Sequence, residues 1–113
     1  MIQSYSFGKI VINGKKYTSD IIIYPDGHIV DSWWRRSGHT LSSDDIYDLI
    51  KSSPDLIIAG TGAYGYMEPT DEVKNLLYEK GIEFQYAPTG EAINIFNEHY
   101  MLKKVGGCFH LTC

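Results

Sequence analysis

Cysteine is scarce: two residues in 113, Cys108 and Cys113, both in one extended C-terminal stretch. Five strand steps of about 3.3 Å would hold them roughly 16 Å apart, far beyond disulfide reach. Both are therefore expected as free thiols, as in a reducing cytoplasm. Two cysteines and four scattered histidines show no zinc-like spacing, so no metal site is expected. Long apolar runs are missing as well. Nothing approaches the roughly 18 residues of a membrane-spanning helix. Met1-Ile2-Gln3-Ser4-Tyr5 offers no basic n-region or apolar stretch, so no secretory signal is expected and the chain is placed in the cytoplasm. Positive charge is outnumbered, ten Lys and Arg against fourteen Asp and Glu, for a net charge of −4. That balance gives no basic face for nucleic acid or an anionic membrane. Without linkers, repeats or low-complexity segments, residues 1–113 read as one domain. At 43% hydrophobic, the composition is ordinary globular material.

What is present is organised around Leu56-Ile57-Ile58-Ala59, an unbroken apolar run that ends in Gly60-Thr61-Gly62-Ala63-Tyr64-Gly65. A run without alternation suits a strand covered on both faces, the central strand of an α/β/α sandwich. Before it, Phe7–Ile12, a hairpin turn at Asn13-Gly14, the returning Lys15-Lys16-Tyr17, Ile21–Tyr24 and His28–Trp34 read as an antiparallel β-meander. Ser42 with Asp45 approaches a capping box, and Leu41 and Ile46 a hydrophobic staple, opening a first helix over 43–52. Thr70 caps a second helix ending at Gly81. Residues 82–86 alternate as a strand, 90–101 carry helical spacing, and 105–111 form a last strand. The expected architecture is a three-layer α/β sandwich with a small β-rich N-terminal part.

Gly60–Gly65 matches G-x-G-x-x-G and follows a strand. The dinucleotide fingerprint also requires a helix opening within the glycines and an acidic residue ending the next strand. Here Pro69-Thr70 delays the helix and the next strand ends Gln85-Tyr86-Ala87, so no dinucleotide or other cofactor is assigned. The glycines read first as a tight turn, with one or more at positive φ. A weaker functional reading makes the loop an anion-accepting nest, with Gly60, Thr61, Gly62, Tyr64, Gly65 and His39 as ligand-binding candidates. Trp33-Trp34-Arg35-Arg36 is a candidate interaction surface, with one indole in the core and the other outside. His110 and Cys113 fall on opposite strand faces, poor geometry for a Cys–His nucleophile. Both are therefore assigned structural roles, with His110 facing the layer of Cys108 and needing a hydrogen-bond partner. No catalytic residue is assigned.

Several segments together resemble the Mth-domain family: the bulky strand into Gly60-Thr61-Gly62, His39-x-Leu41, Thr89-x-Glu91-Ala92 with Phe96-Asn97, and the terminal Phe109-His110-Leu111-Thr112-Cys113. That family has an adipogenesis-associated branch and a branch of mitochondrial complex I assembly factors. The resemblance implies a three-layer fold with a mixed central sheet whose last strand is antiparallel to its neighbours, and it supplies no catalytic residues. The expected function is a non-enzymatic interaction or assembly domain with another protein as partner. The alternative is a small-molecule or anion-binding domain, possibly enzymatic, that uses the Gly60–Gly65 loop.

Overall fold

The computed structural model describes residues 1–113. In chain order the elements are β1 (Ile2–Ser6), β2 (Lys9–Ile12), β3 (Lys15–Tyr17), β4 (Ile21–Ile23), β5 (Ile29–Val30) and β6 (Thr40–Leu41). A 3-10 turn over Ser43–Ile46 leads into α1 (Tyr47–Lys51) and β7 (Leu56–Thr61). Then come β8 (Glu68–Pro69), α2 (Asp71–Glu79), β9 (Glu83–Ala87), α3 (Thr89–His99) and β10 (Val105–His110). The main sheet has the order β5-β4-β10-β7-β9, β1–β3 form a separate antiparallel sheet, and β6 pairs with β8. No helix is long and apolar enough to cross a membrane.

Alternation along the strands sorts the core into two layers. Leu56, Ile58, Val105 and Phe109 face α3 and the small sheet, where they meet Ala92, Phe96, Ile10 and Ile12. Ile57, Ala59 and Cys108 face α1 and α2, where they meet Leu49, Ile50, Val73 and Leu77. The mixed α/β sandwich expected from the sequence is the fold observed, as are α2, α3 and the turn at Asn13-Gly14 (φ 50° and 83°). The first helix, expected over 43–52, instead opens as a 3-10 turn over Ser43–Ile46 and is α-helical only over Tyr47–Lys51. Thr70 Oγ1 accepts the Val73 amide at 3.1 Å, capping α2, and Gly81 lies at φ 72° just beyond the helix.

Three expectations need correction. The first third of the chain is not one meander, because β4 leaves the small sheet and pairs with β10 and β5 in the main one. Its three isoleucines are all buried, the mark of a strand covered on both faces. The middle strand of the main sheet is β10, with β7 beside it. β10 is antiparallel to β4 but parallel to β7, so only half of its pairing is antiparallel. Two glycines let that middle strand be approached closely. A Cβ on Gly106 would lie 2.6 Å from Leu49 Cδ1, and one on Gly107 2.5 Å from Phe109 Cε2.

Candidate functional site

The C-terminal ends of the parallel strands β7 and β10 sit side by side, where α/β proteins gather binding residues. A buried polar cluster lies beneath them. Asp20, just before β4, accepts from Arg35 Nη1 at 2.9 Å and from His110 Nδ1 at 2.8 Å on Oδ2. Its Oδ1 accepts the Leu111 amide at 2.8 Å. Side-chain exposure is only 5% for Arg35, 8% for His110 and 17% for Asp20. Burial alone would raise the Asp20 carboxyl. The hydrogen bonds from His110, the Leu111 amide and Arg35 outweigh it and hold the group below its ordinary range. Arg35 also stacks on Trp33, its guanidinium carbon 4.6 Å from the ring centroid, and Trp33 Nε1 donates to Asp45 O.

A carboxylate oxygen at 2.8 Å means that His110 Nδ1 carries the hydrogen. Arg35 Nη2, 3.0 Å from the same nitrogen, therefore does not donate to it and is directed to Gly38 O at 3.4 Å. His110 Nε2 and Arg35 Nε are buried without partners. Nε2 lies against the glycine loop: a Cβ on Gly62 would sit 2.9 Å from His110 Cδ2 and 3.6 Å from Nε2. The cavity that the loop itself lines, about 230 Å³, is bounded by Thr61, Tyr64, Gly65, Met67, Glu68, Tyr86, Ala87 and Pro88, and does not reach His110. With Nε2 buried and Nδ1 bonded to Asp20, the Asp20–His110 pair ties the start of β4 to the end of β10.

The loop is fastened as firmly. Thr89 Oγ1 accepts the Gly62 amide at 2.9 Å and donates to His110 O at 2.6 Å. Ala63 N donates to Thr112 O, Gly65 N to Gly62 O and Met67 N to Thr61 O. Gly62 and Gly65 adopt φ 102° and 73°. Gly60 serves close packing, since a Cβ there would lie 2.8 Å from both Phe109 Cδ1 and Thr89 Oγ1. No run of consecutive free amides remains to form an anion nest. Thr61 is buried, whereas Tyr64 and His39 reach the surface on either side of Tyr66. Phe7, Tyr64, Tyr66 and His39 form a chain of ring contacts with centroids 6.4, 5.8 and 6.0 Å apart. Phe7, Tyr64 and Tyr66 are 58%, 64% and 57% exposed.

The Trp33–Arg36 surface splits. Trp33 and Arg35 are interior, and only Trp34 and Arg36 are exposed. The strand that would have carried all four ends at Val30, and Ser32 turns the backbone at φ 55°. Cys113 is also corrected: it is exposed, beyond the end of β10, and packs no core. Cys108 is wholly buried, and that burial pushes its thiol up to about 12 despite the charge of Arg35. Asp20, Thr89 and Phe7 were given no site role from the sequence. An acidic residue placed directly before three buried isoleucines was the available signal for Asp20, because a carboxylate there needs a partner.

Among solved structures, the conserved hypothetical protein PH1505 from Pyrococcus horikoshii OT3 is similar with a TM-score of 0.85 at 29% identity, over 100% of this chain and 99% of its own. MT938 gives 0.83 at 26% identity, over 100% and 98%. A Mth938-like domain from Bordetella pertussis shares the fold at 16% identity with a TM-score of 0.67, over 97% and 84%. No curated protein matches the sequence. The model of the family described as "Protein of unknown function (DUF498/DUF598)" matches residues 2–110, and the chain belongs to that family.

Proposed function

We propose that the chain is a non-enzymatic interaction domain that docks another protein through the aromatic surface of Phe7, Tyr64, Tyr66 and His39. The observation that carries this reading is the contrast between that surface and the polar groups under it. The polar cluster is buried and bonded through Asp20, while three large rings stand more than half exposed in a chain of ring contacts. Exposed tyrosines and phenylalanines on a fixed backbone are the groups that anchor protein interfaces. Small-molecule binding at the loop is the second reading. The 230 Å³ cavity speaks against it, being smaller than the roughly 300–1,000 Å³ of ligand pockets. The adipogenesis and complex I assembly roles of the Mth-domain branches lend this surface no residue.

The test is a triple variant, Phe7→Ala, Tyr64→Ala and Tyr66→Ala, compared with the unaltered chain as bait in lysate of the source cells. Proteins retained by the unaltered chain and lost by the folded variant support the reading; equal retention refutes it. A thermal-shift panel of nucleotides and sugar phosphates decides the alternative, since a ligand at 100 times its Kd adds about 2.7 kcal/mol.

A further inference from the structure

Strand β9 is the outer strand of the main sheet, paired with β7 on one side only. The opposite edge ends in the two-residue β5, too short to template another chain. β9 runs for five residues, Glu83-Phe84-Gln85-Tyr86-Ala87, with no proline, lysine or bulge inside it. Those are the usual guards of an exposed edge. The Glu83 amide donates inward to Asp55 O at 3.0 Å. Backbone groups alternate along a parallel strand, so Glu83, Gln85 and Ala87 bond to β7 while the amides and carbonyls of Phe84 and Tyr86 point outward. The side chains beside that edge are mainly aromatic, with Lys74 Nζ 5.2 Å over the Tyr86 ring and Glu83 paired with Lys103 at 3.7 Å. Phe84 and Tyr86 stack at 5.4 Å, Tyr78 is 86% exposed, and these three with Lys74, Ile82 and Glu83 line an open groove of about 410 Å³.

The geometry points to a second copy of this chain as the occupant of that edge, with two β9 strands pairing antiparallel about a two-fold axis at Gln85. The strand is complementary to itself in this register. Phe84 meets Tyr86 of the second copy as a hydrogen-bonded pair, and the symmetric pair completes four backbone bonds that use all the outward groups. Glu83 falls opposite Ala87, so no like charges face each other. The four rings of the two copies then form one continuous row, and the two sheets join into a single ten-stranded sheet. A two-fold interface of this kind is isologous and closed, and so it stops at the dimer.

Register makes the inference testable. In a Cys113→Ser background, Gln85→Cys places one thiol per copy at a non-hydrogen-bonded pair with Cα atoms about 4.5 Å apart, within disulfide reach. Mild oxidation should convert it to a covalent dimer, while Glu83→Cys in the same background should not cross-link. Sedimentation of the unaltered chain should show twice the 12.8 kDa monomer mass at high concentration. Tyr86→Lys, which removes a ring from the row and sets a second ammonium beside Lys74, should weaken association about 100-fold while leaving the circular dichroism spectrum unchanged. A chain that stays monomeric up to 1 mM overturns the proposal, as does cross-linking at position 83 but not at 85. An edge that binds only extended peptides also overturns it.

Discussion

Replacing Asp20 with Asn keeps the side chain's size and removes its charge. Asn Oδ1 can still accept the Leu111 amide, but its other terminal atom becomes an NH2 facing Arg35 Nη1 and His110 Nδ1, now 2.9 and 2.8 Å from the carboxylate oxygen. Arg35 Nη1 then faces a donor, His110 Nδ1 can accept only by moving its hydrogen to the buried, partnerless Nε2, and a guanidinium with 5% side-chain exposure loses its counter-charge. Leaving a buried charge unpaired costs about 3–5 kcal/mol. Asp20 itself is 17% exposed, which sets the expectation toward the lower end of that range. The cost is a large share of the roughly 5–15 kcal/mol that holds a domain of this size together. His110→Gln should cost only about 1 kcal/mol, since an amide nitrogen can still donate to Asp20 and the Arg35–Asp20 pair survives.

Urea titration at pH 7 measures both variants, read as a change in midpoint at constant slope. Acid gives an internal control. The folded carboxyl of Asp20 lies below its unfolded value of about 3.9, so the unfolded chain takes up its proton first as the pH falls. The stabilisation by Asp20 is therefore complete above about pH 4–5 and is lost as pH falls through the folded pKa. The gap between Asp20→Asn and the unaltered chain should narrow over that range. If Asp20→Asn melts within about 1 kcal/mol of the unaltered chain at pH 7, or the gap does not narrow in acid, the cluster is not the tie described.

Gly62→Ala puts a Cβ 2.7 Å from Thr112 O at φ 102° and should destabilise the fold by about 2–4 kcal/mol in a thermal melt, whether or not a ligand or partner is present. In thiol titration of the native protein, Cys113 should react promptly and Cys108 only after unfolding, because one is exposed and the other is wholly buried. Two fast thiols would show that the layer between the main sheet and α1 opens readily.

Signals local to one element were legible in the sequence. An apolar run announced β7, Thr70 and Gly81 marked the ends of α2, and Asn13-Gly14 set the hairpin between β2 and β3. Each rests on contacts between neighbours in the chain or on one residue's backbone preference. β1 was missed because its register shifts between Ile2 and Ser4, which breaks the alternation that identifies a half-buried strand. Asn97 holds that strand to α3, accepting the Ile2 amide at 3.0 Å and donating to Ile2 O at 2.7 Å, a clamp between residues 95 apart. The polar cluster was illegible for the same reason. Asp20 and His110 stand 90 residues apart, and no periodicity joins them. His110 could be given a buried face and a need for a partner, but which carboxylate answered it depended on β4 joining the main sheet beside β10.

That pairing links the buried cluster to the exposed rings. Every aromatic of the proposed docking surface is flanked by a backbone group tied into the same region. Phe7 precedes Gly8, whose amide donates to Leu111 O at 2.8 Å, where the Tyr5 hydroxyl also donates. Tyr64 stands between Ala63, bonded to Thr112 O, and Gly65, bonded to Gly62 O. Tyr66 precedes Met67, bonded to Thr61 O, and His39 O accepts the Glu68 amide. The anchors of Phe7 and Tyr64 converge on Leu111 and Thr112, and Leu111 is itself fixed by Asp20. Rings held this way lose little freedom when a partner covers them, so more of their burial becomes affinity. In the proposed docking mode the buried cluster would serve recognition through the rigidity it gives the end of the sheet, and Asp20→Asn should then raise amide hydrogen exchange across residues 62–67 in the native state before it unfolds the chain.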